Sequence, residues 1–179
     1  MSDKQAVQEY IQFLRQLRAV RSFRSEPLSK EILGALLEVA RWSGSANNVQ
    51  PWEFIVVQER KTLHALAQAE GFVKHLESAA AAIVLVMAGE ADQVAQETYD
   101  EGRLSERIML AASAYGVGSC IGWFYNSGPA TAKSVLGLPE GRLVRTVISL
   151  GYPDEEALSK PKNAQARKAL DTIVRYEHY

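Results

Sequence analysis

Apolar residues along this chain change their spacing several times, and each change marks an element. Val7, Ile11, Leu14 and Leu17 recur every three or four positions, which predicts an opening helix that ends with its loop at Pro27. Ser29 then caps a second helix, with Ile32, Leu33, Leu36, Leu37 and Ala40 on one face as far as about Trp42. Residues 53–58 read as a buried strand, and residues 61–68 and 73–78 as short helices. The unbroken apolar run 82–87 predicts a central strand covered on both faces. Residues 93–115 read as the long helix: Leu104, Ile108, Ala111 or Ala112, and Tyr115 keep helical spacing, and Gly116 and Gly118 end it. Residues 119–123 form a short strand and 142–150 a second central one; a polar loop follows Pro153, then a tail carrying Leu170, Ile173 and Val174. Helices mixed with separated strands, without internal repeat or linker, predict one α+β domain over residues 1–179.

Composition narrows the function classes. With 179 residues, 47% apolar and 23% charged, the chain is long enough for one sizeable core. A net charge of −1 and a pI near 6.3 provide no general attraction to nucleic acid or to an anionic membrane. The longest apolar run, residues 79–88, is too short to span a bilayer, and the amino terminus lacks a signal-peptide core, so a cytoplasmic protein is expected. Three scattered histidines have no metal-ligand spacing, so no metal is expected, and the solitary Cys120 reads as a small buried side chain. His64 and His75 read as residues of surface helices. Charge is uneven: Arg15, Arg18, Arg21 and Arg24 cluster near one end, and Lys160, Lys162, Arg167 and Lys168 near the other. Two short basic clusters on a near-neutral chain fit one compact anion better than a polyanion, although a solvated face suits Arg15, Arg24 and Lys168.

The most telling stretch is residues 43–54, SGSANNVQPWEF: small and amide side chains closed by Gln-Pro-Trp and followed at once by a strand. Small residues admit close approach, and Asn and Gln offer donors and acceptors to a flat polar heterocycle. Four ordered segments carry a family resemblance: Arg18-Ala19-Val20-Arg21-Ser22-Phe23 with Pro27; Ser45-Ala46-Asn47-Asn48-Val49-Gln50-Pro51-Trp52; Gly116-Val117-Gly118-Ser119-Cys120-Ile121-Gly122; and Gly151-Tyr152-Pro153 with Arg167-Lys168-Ala169-Leu170. Together they resemble the motifs of the FMN-binding nitroreductase superfamily. Gly116-Val117-Gly118 is not a dinucleotide fingerprint, because its helix precedes it.

The resemblance implies an α+β nitroreductase-like fold with a mostly antiparallel central sheet, and a homodimer whose C-terminal tails extend the partner subunit's sheet. It implies that Arg18 and Arg167 serve the FMN phosphate beside Ala19, and that Arg21 meets the pyrimidine edge. A backbone N–H near Gly122 or Trp123 would serve N5, and Ser45 and Asn48 would reach the flavin from the other subunit. The implied activity passes hydride from NADH or NADPH through FMN to a nitroaromatic, quinone or activated alkene, by a ping-pong route. Alternatives are a specific flavin-dependent dehydrogenase or dehalogenase, or a flavin-binding module without turnover. The chain departs from the pattern at Leu17 and Ala19, where the family carries arginine and serine, at Gly44 in place of proline, and at Glu106 in place of glutamine. Each charge-assisted bond missing from the phosphate site costs about 1.5–3 kcal/mol. The aromatic run Trp123, Phe124 and Tyr125 reads first as core, with one ring free to border a pocket.

Overall fold

The computed structural model describes residues 3–159 and 167–179; of Asp3 and Glu156 only the backbone is described. Its centre is strand β2 (Ala81–Met87), in which all seven residues are buried. β2 pairs antiparallel with β1 (Trp52–Val57) on one side and β4 (Leu143–Gly151) on the other, and β3 (Gly118–Trp123) pairs antiparallel with β4. The sheet order is therefore β1-β2-β4-β3, with β1 and β3 at opposite edges. Side chains alternate across a strand, so β2 feeds two cores. Ala81, Ile83 and Leu85 pack with α2 (Lys30–Arg41) and α4 (Val94–Ala114); Ala82, Val84 and Val86 pack with α3 (Arg60–Ala67) and α5 (Gly128–Leu136). The expected α+β fold with a central strand covered on both faces is what the structure contains.

Several elements differ from the sequence reading. Helix α5 was hidden because it begins Gly-Pro, a turn signal; Pro129 is tolerated there since the first helical N–H groups have no partner anyway, and Gly137 ends the helix at φ +66°. Residues 73–78 contain a 3-10 turn, Lys74–Glu77, in place of an α-helix. The polar loop after Pro153 includes a short helix α6 (Glu155–Ser159), and the tail another, α7 (Leu170–Ile173). α1 (Asp3–Gln16) is helical as expected, yet Val7, Tyr10, Ile11 and Leu14 on its apolar stripe stay 49–72% exposed. Among the described residues no helix is long and apolar enough to cross a membrane.

The segment after α1 runs along the outer edge of the sheet. Ala19 bridges Ser119 of β3 in parallel, the Val20 N–H donates to the Ser119 carbonyl at 2.8 Å, and Phe23 bridges Pro153 beyond β4. Glycine makes this approach possible: a Cβ on Gly118 would stand 2.8 Å from Val20 Cγ1 and 3.0 Å from Pro153 Cγ. Gly118→Ala should therefore destabilise the fold by about 1–3 kcal/mol, since overpacking forces backbone movement. Urea unfolding monitored by tryptophan fluorescence checks this; an unchanged midpoint would show that the Val20 segment does not depend on this contact.

Candidate functional site

The outer edge of β3 supplies the frame. Backbone N–H and C=O groups of one residue point to the same side of a strand, and sides alternate. The Ser119 carbonyl accepts from Val20, and the Trp123 carbonyl accepts from Phe72 N–H at 2.8 Å, so residues 119, 121 and 123 face outward. Between these two attachments the Trp123 N–H looks into an open gap. Gly122 faces the other way, opposite Val147 of β4. Its missing side chain leaves room for Val73 and for His75, whose Cε1 would stand 3.2 Å from an added Cβ. Of the two residues singled out for an N–H donor, Trp123 carries the outward N–H and Gly122 the space behind it.

A cavity of about 510 Å³ opens beside this edge, lined by Arg21, Gly71, Phe72, Lys74, His75, Glu77 and Ser78. Its far wall is fixed from below. The Glu70 carboxylate accepts from the Ser127 N–H at 3.2 Å, the Ser127 hydroxyl at 2.6 Å and Asn126 Nδ2 at 2.7 Å; these bonds, Ser127 foremost, hold its carboxyl below the usual range. Gly128 lets the Glu70 carbonyl come close, where a Cβ would collide with it. Phe72 then leans on Tyr125, ring centroids 5.3 Å apart.

His75 is not the free surface histidine its sequence context indicated. Its Nδ1 lies 2.7 Å from Ser149 Oγ and its Nε2 3.0 Å from the Phe72 carbonyl. Burial lowers its pKa; the bond to Phe72 opposes this, and the Arg21 charge lowers it further. The Cys120 thiol is 1% exposed, as expected, and burial pushes its pKa up against the pull of Arg21. Behind Trp123, which keeps 40% of its surface exposed, the Arg145 guanidinium stacks 5.7 Å from the ring centroid. Arg145 pairs with the buried Glu101 and donates to Thr98 Oγ1 at 2.8 Å. Burial raises the Glu101 carboxyl, and Arg145 opposes it. Phe72, His75, Glu101 and Arg145 were missed from sequence; a lone arginine inside an apolar strand was the available signal.

The structure brings Arg18, Ala19, Arg21, Gly122 and Trp123 to this one edge. Arg18 is half-buried and donates through Nη2 to the Ala157 carbonyl of α6 at 2.9 Å. Arg21 lines the cavity, Ala19 is exposed, and Arg167 is exposed where the tail begins. Lys160 and Lys162, the other members of the second basic cluster, lie outside the described residues. Phe124 is core, as expected.

Ser45 and Asn48 do not join them. Their loop leads through Pro51 into β1, the opposite edge of the sheet, three strand spacings or about 14 Å away. The loop is rigidly specified: Ser45 Oγ accepts from the Gln50 N–H at 2.8 Å, the Asn48 N–H reaches the Ser45 carbonyl at 3.1 Å, and Asn47, Asn48 and Gln50 all adopt positive φ. Such backbone persists where the surroundings fix it and clusters at functional sites.

Comparison with known proteins agrees with the motif order. Residues 14–104 match the model of the nitroreductase family. An Archaeoglobus fulgidus protein, assigned by name as an NADH dehydrogenase/NAD(P)H nitroreductase, is 32% identical over 154 residues, covering 84% of this chain and 88% of its own. A Vibrio harveyi NADPH-flavin oxidoreductase is 27% identical over 159 residues, 81% of this chain and 66% of that protein. Among solved structures, an FMN-dependent nitroreductase from Clostridium difficile superposes with a TM-score of 0.84 at 28% identity, over 94% of this chain and 99% of its own. By its family match, its relatives and its fold, the chain belongs to the nitroreductase family.

Proposed function

We propose that this protein is an FMN-dependent NAD(P)H oxidoreductase whose two active sites are completed across a homodimer. One observation carries the dimer: the candidate cofactor residues are divided between opposite edges of one sheet, with two strands standing between the sets within a chain. A two-fold pairing that lays the Ser45–Asn48 loop of one subunit over the β3 edge of the other reunites them. Exposed apolar surface fits this arrangement. The α1 stripe lacks cover among the described residues, and Leu170, Ile173 and Tyr176 of the tail are 58–85% exposed, which suits a tail that lies on the partner's sheet. Residues 1–179 act as one domain in this reading, and the cytoplasm is its proposed compartment.

The residues present fit the cofactor. The cavity volume is in the range of small-molecule sites, its rim carries Arg21, and the gap beside it presents the Trp123 N–H. When bound, FMN supplies hydride transfer at N5. The chain's part is to hold and orient. Arg21 would place an always-charged donor at the pyrimidine edge, the Trp123 N–H would serve N5, and Arg18 with Arg167 would hold the phosphate. Phe72 and Tyr125 wall the ring from water. The same face would serve two substrates in turn, NADH or NADPH as hydride donor and then a nitroaromatic, quinone or activated alkene as acceptor. Such traffic asks for no acid–base triad in the protein.

The purified protein is expected to show a flavin absorption spectrum that bleaches when NADPH is added without oxygen. A colourless protein that ignores added FMN would refute the reading. Arg167→Ala should weaken FMN binding at least about tenfold while leaving riboflavin binding unchanged, because only the phosphate loses a charged partner. Equal losses for both ligands, by fluorescence titration, would remove Arg167 from the phosphate site. The shared site has its own test. Arg21→Ala and Asn48→Ala chains, each deficient alone, should regain about a quarter of the native flavin content when mixed and refolded together, since half the dimers are hybrids with one native site. No recovery would place both residues in one subunit's site.

A further inference from the structure

His75 stands in the same cavity as Arg21, and its partners define a two-position hydrogen-bond arrangement. The Phe72 carbonyl only accepts, so the Nε2 at 3.0 Å carries a proton. In the neutral ring Nδ1 is then a lone pair, and the Ser149 hydroxyl at 2.7 Å donates to it. The same hydroxyl has a second acceptor, the Cys120 carbonyl at 3.3 Å. If His75 gains a proton, Nδ1–H donates to Ser149 Oγ and the hydroxyl turns to Cys120. Both protonation states are fully hydrogen-bonded, with no heavy atom displaced.

The surroundings bias the ring toward neutrality while the cavity lacks an anion. Ser149 comes from β4, Cys120 from β3, and the titratable or charged groups sharing the cavity are Arg21, Lys74 and Glu77. Glu77 Oε1 accepts from Gln68 Nε2 at 2.9 Å, so the acid is already engaged away from the ring. Burial is the main cause that keeps the ring neutral, and the Arg21 charge adds to it by working against a second cation beside it. An anion between Arg21 and His75 reverses the sign, because it screens the arginine and attracts the imidazolium.

We propose that His75 is a proton-accepting residue of the cofactor site that takes up one proton from water when FMN is in its reduced, anionic form, so that Arg21 and His75 together select that form over the neutral oxidised ring. This inference rests on the functional reading above. Ser149 and Cys120 act as the positioning pair, holding the imidazole in one place through both states. Reduced FMN adds one negative charge at the pyrimidine edge, and one proton on His75 balances it.

The test follows the imidazole signals of the three histidines by NMR across pH 5–9. It uses the apoprotein, the protein with oxidised FMN, and the protein with FMN reduced without oxygen, and each flavin affinity is measured alongside. The expected result is a His75 titration below the ordinary 6.5 in the first two states that moves up by at least about one pH unit with reduced FMN. In His75→Gln, which keeps a donor to Phe72 and an acceptor for Ser149 but cannot ionise, the preference for reduced over oxidised FMN at pH 7 should fall at least about tenfold and lose its pH dependence. A His75 titration identical in both flavin states, or a glutamine variant with the native preference, overturns the inference while flavin binding stands. Absence of FMN binding in either state overturns the functional reading and this inference together.

Discussion

The open edge of β3 is the constraint on which the rest of the site depends. A sheet edge presents backbone donors and acceptors that must find partners, and an uncovered edge invites pairing with other chains. Here two segments, residues 19–20 and 70–72, satisfy the two ends of the edge and stop short of its middle. The gap is a consequence of their lengths and attachments, and Arg21 and His75 reach it because their backbones are already committed on either side.

Holding these segments so near the sheet requires small residues at chosen points. Gly118 admits Val20, Gly151 admits the Phe23 ring, and Gly128 admits the Glu70 carbonyl. Each removes a side chain so that a neighbour comes closer than a Cβ allows. The Arg145–Glu101 pair performs a different task from the interior. Burying a carboxylate is costly unless it is paired, and the pairing directs the arginine under Trp123, where stacking restrains an otherwise half-exposed ring. Rigidity at the edge thus originates partly in α4, one layer below.

Much of this is legible in the sequence. The run 82–87 had no polar interruption and could only be central, and the helix ended by Gly116 followed from spacing and a positive-φ glycine. The motifs also singled out Arg18, Arg21 and Trp123, which the structure brings to one edge of the sheet. Other features were hidden for physical reasons. α5 opens with residues that signal a turn. The role of His75 depends on Ser149, seventy-four positions away, and no local pattern encodes that meeting. Glu97, Asp100 and Glu101 of α4 are all buried, because their partners are a backbone N–H at Gly89 and arginines near or distant in sequence, which no local pattern encodes. The division of Ser45 and Asn48 from the other candidates needed the strand order, which spacing does not contain.

β4 carries a bulge opposite Leu85 and Val86 of β2. Leu85 faces Thr146 and Val86 faces Val144, so Arg145 is an extra residue with no counterpart on β2. A strand without it would send Val144 and Val147 to opposite faces, yet both pack in the same core. The inserted residue is therefore a phase shift in the alternation, and everything after it inherits the new phase. Ser149 shares the face of Val147, which is how its hydroxyl comes to His75, whereas Ile148 and Leu150 turn to α2 and α4. Deleting one residue at this point would leave the apolar content of β4 almost unchanged and still exchange its two faces. A single count along one strand thus decides whether a hydroxyl meets the cavity or the opposite core.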